Sequence, residues 1–176
     1  MASEDIYISS YRLVAHLGSG SFGDVYLAQH AILTNRVVAI KLMHFADLGS
    51  SQSILRFFAE AQLLDKFKHP HILPIINVDV YEGFPYLVTE YASGGSLRDR
   101  LERQARRLLP IEESLSILEQ VGQALQHVHQ QDIIHRDLKP ENMVAHIVKT
   151  QKLVQIRATV LLFDYSLCSM DFAHAW

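Results

Sequence analysis

The sequence predicts an α+β fold in which a complete β-rich portion with one major helix precedes the first part of a helical portion. Three observations carry this. Residues 11–45 run in short β-prone pieces, the apolar spacing becomes helical from Ser51 to Phe67, and the pattern beyond Ser93-Gly94-Gly95-Ser96 is again helical. That flexible break sets the expected boundary, giving a sheet-and-helix unit over residues 1–92 and a partial helical unit over residues 93–176.

In chain order, YRLVAHL, DVYLAQHA and RVVAIKLMHF read as an antiparallel meander, with Thr34-Asn35-Arg36 turning between the last two. From Ser51 to Phe67 the residues Phe57, Ala61 and Leu64 fall on one helical face, and Glu60 falls on the same stripe. ILPIINVDVY and FPYLVTEYA read as two further strands joined around Glu82-Gly83. Beyond the break, an Arg-rich helix is expected from about Leu97 to Arg107. A second helix opens at Pro110 with Glu112 and Glu113 in its first turn, and Leu115, Leu118, Gly122 and Leu125 are expected to form its inner face.

Composition limits the function classes. A chain of 176 residues with 49% hydrophobic content can bury a real core. Its net charge of −3 gives no general attraction to nucleic acid, so no nucleic-acid partner is expected. The single cysteine, Cys168, can form no disulfide within the chain, which fits a reducing compartment and a cytoplasmic location. The N-terminus lacks a signal peptide's basic start and apolar run, and no apolar stretch reaches the roughly 20 residues that span a bilayer, so no membrane segment is expected.

Chemistry begins at Gly18-Ser19-Gly20-Ser21-Phe22-Gly23-Asp24-Val25, between the first two strands. Glycines let the backbone approach a ligand and turn amides toward phosphate oxygens; a plain glycine-rich hairpin is the competing account. The loop joins two strands, so it is not the dinucleotide fingerprint, and it lacks the Gly-Lys-Ser/Thr ending of a Walker loop. Lys41 ends the apolar run Val38-Ala39-Ile40, while Glu60 sits in an apolar stripe. Each charge is awkward alone, and either the two pair or each reaches solvent by itself.

Straight after Ile133-Ile134, which is expected to anchor it, comes HRDLKPEN (residues 135–142). Here Asp137 could accept a proton from a hydroxyl, Lys139 could neutralise a transferring phosphate, and Asn142 could offer an oxygen to a divalent cation. Asp164 ends the apolar run Val160-Leu161-Leu162-Phe163 and supplies a carboxylate suited to Mg²⁺. For any one of these, a charged surface turn is the plainer account.

Together, in this order, these motifs resemble the signature set of the eukaryotic-type serine/threonine protein kinases, including those of bacteria, from about Tyr11 to Cys168. Lys139, two residues after Asp137, matches the serine/threonine form. The resemblance implies a kinase-like fold with a small β-rich lobe and the beginning of a helical lobe. It also implies ATP and Mg²⁺ bound between them, and a protein serine or threonine as phosphate acceptor. In those terms Gly18, Ser19, Gly20 and Gly23 correspond to a lid over the ATP phosphates, and Val25 and Ala39 to a roof above adenine. Lys41, fixed by Glu60, corresponds to the holder of the α- and β-phosphates. Thr89 corresponds to the gatekeeper and Glu90 through Ala92 to the adenine-binding hinge, with Leu97 and Val144 below. Asp137 corresponds to the catalytic base with Lys139 beside it, Asn142 and Asp164 to the metal ligands, and His135, Leu64, Ile75 and Tyr165 to a stacked apolar column.

The chain departs from the family's Asp-Phe-Gly in having Asp164-Tyr165-Ser166, where serine removes a glycine's freedom to adopt positive φ. Residues 143–163 are longer than the family's hairpin at this place, and the chain stops at Trp176, before the family's activation segment and later helices. The expectations are therefore exposed apolar surface, a partner that covers the incomplete large lobe, and, as an alternative to a working enzyme, an impaired kinase-like remnant or a nucleotide-binding interaction module. The arginines at 98, 100, 103, 106 and 107 read as a solvated helix face, and the pairs His69/His71 and His127/His129 as lacking the partners of a metal site.

Overall fold

The computed structural model describes residues 5–20, 23–44, 51–135, 137–147 and 154–158. Six strands form one antiparallel sheet: β1 (Tyr7–Ile8), β2 (Tyr11–Gly20), β3 (Gly23–His30), β4 (Val37–Met43), β5 (Ile75–Tyr81) and β6 (Phe84–Glu90), in the spatial order β1-β2-β3-β4-β6-β5. Alternation decides what each face does. Along β4, Val38 and Ile40 are buried in a cluster with Ile8, Tyr11, Ala28, Tyr86 and Val88, which turns Ala39 and Lys41 to the opposite face. The chain turns tightly between β5 and β6 with Glu82 at φ 51° and Gly83 at φ 86°, the two left-handed residues that a two-residue hairpin requires. Between β3 and β4 the expected turn lies within a longer connection, closed by the His30 N–H donating to the Arg36 carbonyl at 3.0 Å.

The helix α1 (Ser51–Asp65) buries Phe57, Ala61 and Leu64, the stripe its spacing predicts. Phe57 packs with Met43 and Leu87 of the sheet. Leu64, with Phe67 and Ile72 from the following loop, packs against Ala124 and Val128 of the helical half. α1 and its loop thereby join the two halves.

In the helical half, α2 (Leu97–Glu102) is shorter than the expected helix to Arg107. Successive turns, with Gln104 N–H to the Leu101 carbonyl and Arg107 N–H to the Gln104 carbonyl, lead the chain out to Pro110. Its start is a capping box: the Asp99 N–H donates to Ser96 Oγ at 3.1 Å, and the Ser96 N–H donates to Asp99 Oδ2 at 2.8 Å. α3 (Ile111–His129) begins after Pro110 with Glu112 and Glu113 in its first turn, as expected.

The expected inner face of α3 is wrong. Ile117, Val121, Ala124 and Val128 are buried, whereas Leu115 and Leu118 are 60% and 68% exposed and only Leu125 of the expected set packs inward. The helix carries two apolar stripes one residue, about 100°, apart. The one that meets Leu97 and Ala145 on one side, and Leu64 and Phe67 on the other, is the second. Ile111, Leu115 and Leu118 are left as an exposed apolar edge. The pair expected to anchor the charged segment also divides: Ile133 packs on the α1–α3 cluster, while Ile134 is 62% exposed.

A short 3₁₀ turn (Pro140–Asn142) leads into β7 (Met143–Ile147), which pairs antiparallel with β8 (Val154–Ala158). The long segment after Asn142 is thus built on a hairpin with five-residue strands.

Candidate active site

A cleft of about 670 Å³ lies between the sheet and the helical half. Register places its upper wall. Val25 pairs with Lys41 and Lys41 with Leu87, while Leu27 pairs with Ala39 and Ala39 with Thr89; Val25, Ala39, Lys41, Leu87 and Thr89 all line the cleft. The glycines at its mouth differ in purpose. A Cβ on Gly23 would stand 2.2 Å from the Leu42 carbonyl oxygen, so β4 itself requires glycine there. A Cβ on Gly18 meets nothing within 4 Å, and one on Gly20 only the Gly23 carbonyl at 3.8 Å. These two are bare where the cleft needs room, which suits close approach of a bound group to their backbone.

The Ser19 hydroxyl donates to Asp24 Oδ1, and His16 Nε2 and His44 Nε2 lie 3.4 and 3.1 Å from the Asp24 carboxylate oxygens. The Ser19 hydrogen bond, then that of His44, holds the Asp24 carboxyl below its usual range. The motif marks Ser19 and Asp24, but no sequence spacing reveals the two histidines that three strands bring together.

The lower wall comes from the connection after β6. The Gly94 N–H donates to the Ala145 carbonyl and the Ala145 N–H to the Gly95 carbonyl, both at 2.9 Å. A Cβ on Gly94 would lie 2.5 Å from that same Ala145 oxygen, so the close approach needs glycine. This pairing carries Val144 and Asn142 under the cleft opposite Glu90 and Ala92, and all four line it. Leu97, expected below the pocket, packs instead with Ile117, Val121 and Ala145.

Beside this floor, Asn142 Nδ2 donates to both the backbone carbonyl and Oδ2 of Asp137, at 2.9 Å each, and Lys139 Nζ stands 2.7 Å from the same Oδ2. The Lys139 ammonium, with help from Asn142, holds the Asp137 carboxyl below its ordinary range against the opposing effect of burial. Asp137 is therefore ionised at neutral pH, an acceptor with a fixed orientation. Arg98 Nε, at the cleft rim, donates to Glu141 Oε1 at 2.7 Å and ties α2 to this segment, a contact between residues distant in sequence.

Lys41 is depressed chiefly by burial and next by the charge of Lys139, with Asp137 acting the other way, so the strand lysine and the HRDLKPEN charges lie within one field. The expected pairing of Lys41 with Glu60 does not occur among the ion pairs of the described residues. The Glu60 carboxyl is raised by burial, offset by Arg56. Of the expected column, Leu64 and Ile75 share a cluster and His135 is buried. Asp164 and Tyr165 lie outside the described residues. Among the described residues no group of three or more His, Cys, Asp or Glu side chains could hold a metal ion.

The arrangement is a glycine-edged cleft lined by the Lys41 cation and by Asn142, which holds an oriented carboxylate, Asp137, beside it. The protein kinase domain model matches residues 11–169. This chain belongs to the protein kinase family. Within the family it is similar to the serine/threonine-protein kinase PrkC of Bacillus subtilis (strain 168), with 37% identity over 134 residues, 76% of this chain and 20% of that relative. It is also similar in structure to the kinase domain of Mycobacterium tuberculosis PknI, with a TM-score of 0.74 at 25% identity, covering 92% of this chain and 63% of that one. A double mutant of the same domain superposes with a TM-score of 0.76. The kinase chain thus spans one fifth of the curated relative and less than two thirds of the solved domain. Its sheet with α1 is the small lobe of the kinase fold, and α2, α3 and the β7–β8 hairpin begin the large lobe. It is a bacterial-type serine/threonine kinase by family.

Proposed function

We propose that this chain binds MgATP in the cleft and transfers the γ-phosphoryl group to a serine or threonine hydroxyl of a protein. The observation that carries this reading is the Asp137–Asn142–Lys139 cluster, joined through Asn142 to the lining of a cleft that also holds Lys41. Gly18, Ser19 and Gly20 offer backbone to the phosphates, and Gly23 holds the loop to β4. Val25, Ala39 and Val144 enclose the base, with Thr89, Glu90 and Ala92 along its edge. Lys41 neutralises phosphate oxygens within the cleft. Asn142 uses its Nδ2 on Asp137, so its oxygen is the atom left for Mg²⁺, with Asp164 as the second ligand. The metal, when bound, supplies positive charge to the phosphate oxygens. Asp137 orients the acceptor hydroxyl and takes its proton as the new oxygen–phosphorus bond forms and the bond from the γ-phosphorus to the β–γ bridging oxygen breaks, releasing ADP, and Lys139 offsets the charge beside it. The reading includes a cytoplasmic location, which the single cysteine, Cys168, fits. No helix among the described residues is long and apolar enough to cross a membrane.

One observation favours a second reading, a nucleotide-binding module without turnover. The family's Asp-Phe-Gly reads Asp164-Tyr165-Ser166 in this chain, where serine removes the glycine's freedom to adopt positive φ. Transfer of label from γ-labelled ATP with Mg²⁺, onto the chain and onto a generic protein substrate, separates the two. Label that vanishes in Asp137→Asn supports the enzyme. ATP-dependent thermal stabilisation without label supports the module, and neither response removes both readings.

A further inference from the structure

The loop between α1 and β5 carries His69-Pro70-His71, which the proposed chemistry does not use. Its rings meet α3. His69 stacks on His127 with centroids 5.1 Å apart and 25° between planes, and His71 stands edge-on to His69 at 5.5 Å. Phe67 meets the His127 ring edge-on at 6.0 Å. The His71 N–H donates to His69 Nδ1 at 3.2 Å, so Nδ1 carries the lone pair and the neutral ring keeps its proton on Nε2.

The charges around this stack are cationic or already engaged. Burial, then His127 from α3 and His71 from the same loop, lower the tendency of His69 to take a proton, and no carboxylate among the described residues opposes them. At the end of α1, Asp65 is engaged by Lys68 at 2.8 Å and Lys66 is a further cation. His129 lies one residue past Val128 on α3.

We propose that His69, His71 and His127 form a pH-sensitive latch between the α1–β5 loop and α3, closed while the rings are neutral and released on acidification. A proton on His69 Nδ1 turns the acceptor for the His71 N–H into a second donor and places a cation against two basic rings. The same loop contributes Phe67 and Ile72 to the cluster with Ala124 and Val128, so its release loosens the contact that joins sheet and helices. This inference is independent of what the cleft binds.

The sign follows from linkage. His69 in the fold titrates below the ordinary histidine value of about 6.5, so on acidification the unfolded chain is protonated first. The contribution is present above about pH 6.5 and declines as pH falls from there toward the folded value.

The test is a histidine Cε1–H NMR titration of the whole chain, with thermal midpoints taken between about pH 7.5 and 5.5. His69 should titrate below about 6.5, and His127→Phe, which keeps a flat ring that cannot charge, should reduce the acid-induced fall in midpoint by about 2–4 °C. A His69 midpoint at or above the ordinary value, or the same pH dependence in variant and wild type, overturns the latch. Should His127→Phe fail to fold, the wild-type titration decides.

Discussion

Asn142 holds Asp137 twice, through its backbone carbonyl and its carboxylate Oδ2, at 2.9 Å each. Lys139 meets the same Oδ2 at 2.7 Å, which leaves Oδ1 as the oxygen for an incoming hydroxyl. Asn142→Ala removes both bonds to a charged segment. It should lower stability by about 1–2 kcal/mol and, if the chain turns over, lower phosphoryl transfer by about 10²-fold or more. Thermal denaturation and labelled-ATP transfer check the two effects; an unchanged melting point would show that the bonds do not hold the segment.

Lys139→Met should raise the titration midpoint of Asp137, because Lys139 is the largest influence holding it low. A carboxyl depressed in the fold contributes stability above its unfolded value of about 3.9, lost as pH falls through the folded value. Losing the lysine shrinks that contribution, and carboxyl ¹³C NMR of Asp137 reads the change directly. A midpoint that stays put would remove Lys139 as the cause.

The loop glycines should separate by variant. Gly23→Ala forces a methyl onto the Leu42 carbonyl and should cost about 1–3 kcal/mol. Gly18→Ala meets open space and should change stability by less than about 0.5 kcal/mol, while weakening ATP-dependent stabilisation. Melting curves of both, with and without MgATP, test this; equal destabilisation by the two would contradict the different surroundings of these glycines.

On α3, Ile117→Ala should cost about 2–4 kcal/mol, whereas Leu118→Gln should stay within about 0.5 kcal/mol. Urea unfolding compares them. If Leu118→Gln costs as much as Ile117→Ala, the exposed edge is covered in solution.

Those two residues also show where sequence stops being legible. Strand alternation is a period of two, so one buried residue in β4 assigns the whole strand, and Ala39 and Lys41 fall to the cleft without ambiguity. Phe57, Ala61 and Leu64 form a single stripe on α1, again with one solution. α3 offers two stripes about 100° apart, and only its neighbours choose between them. The same holds for charges. Lys41 and Glu60 are each conspicuous in sequence, yet pairing depends on how α1 rotates over the sheet, which no local pattern encodes. The meeting of Ser19, His16 and His44 around Asp24 depends on the register of three strands, with an irregularity between His16 and Gly18 that alternation does not foretell.

The hydrogen bonds that join Gly94 and Gly95 to Ala145, with the bridge from Ser96 to Val144, have a mechanical meaning. From Gly94 onward the connecting chain is bonded to β7, so Tyr91, Ala92 and Ser93 are the backbone between the end of β6 and that anchorage. The same bonds fix Val144 and Asn142 beneath the cleft, whereas the glycine edge belongs to the sheet on the other side of that segment.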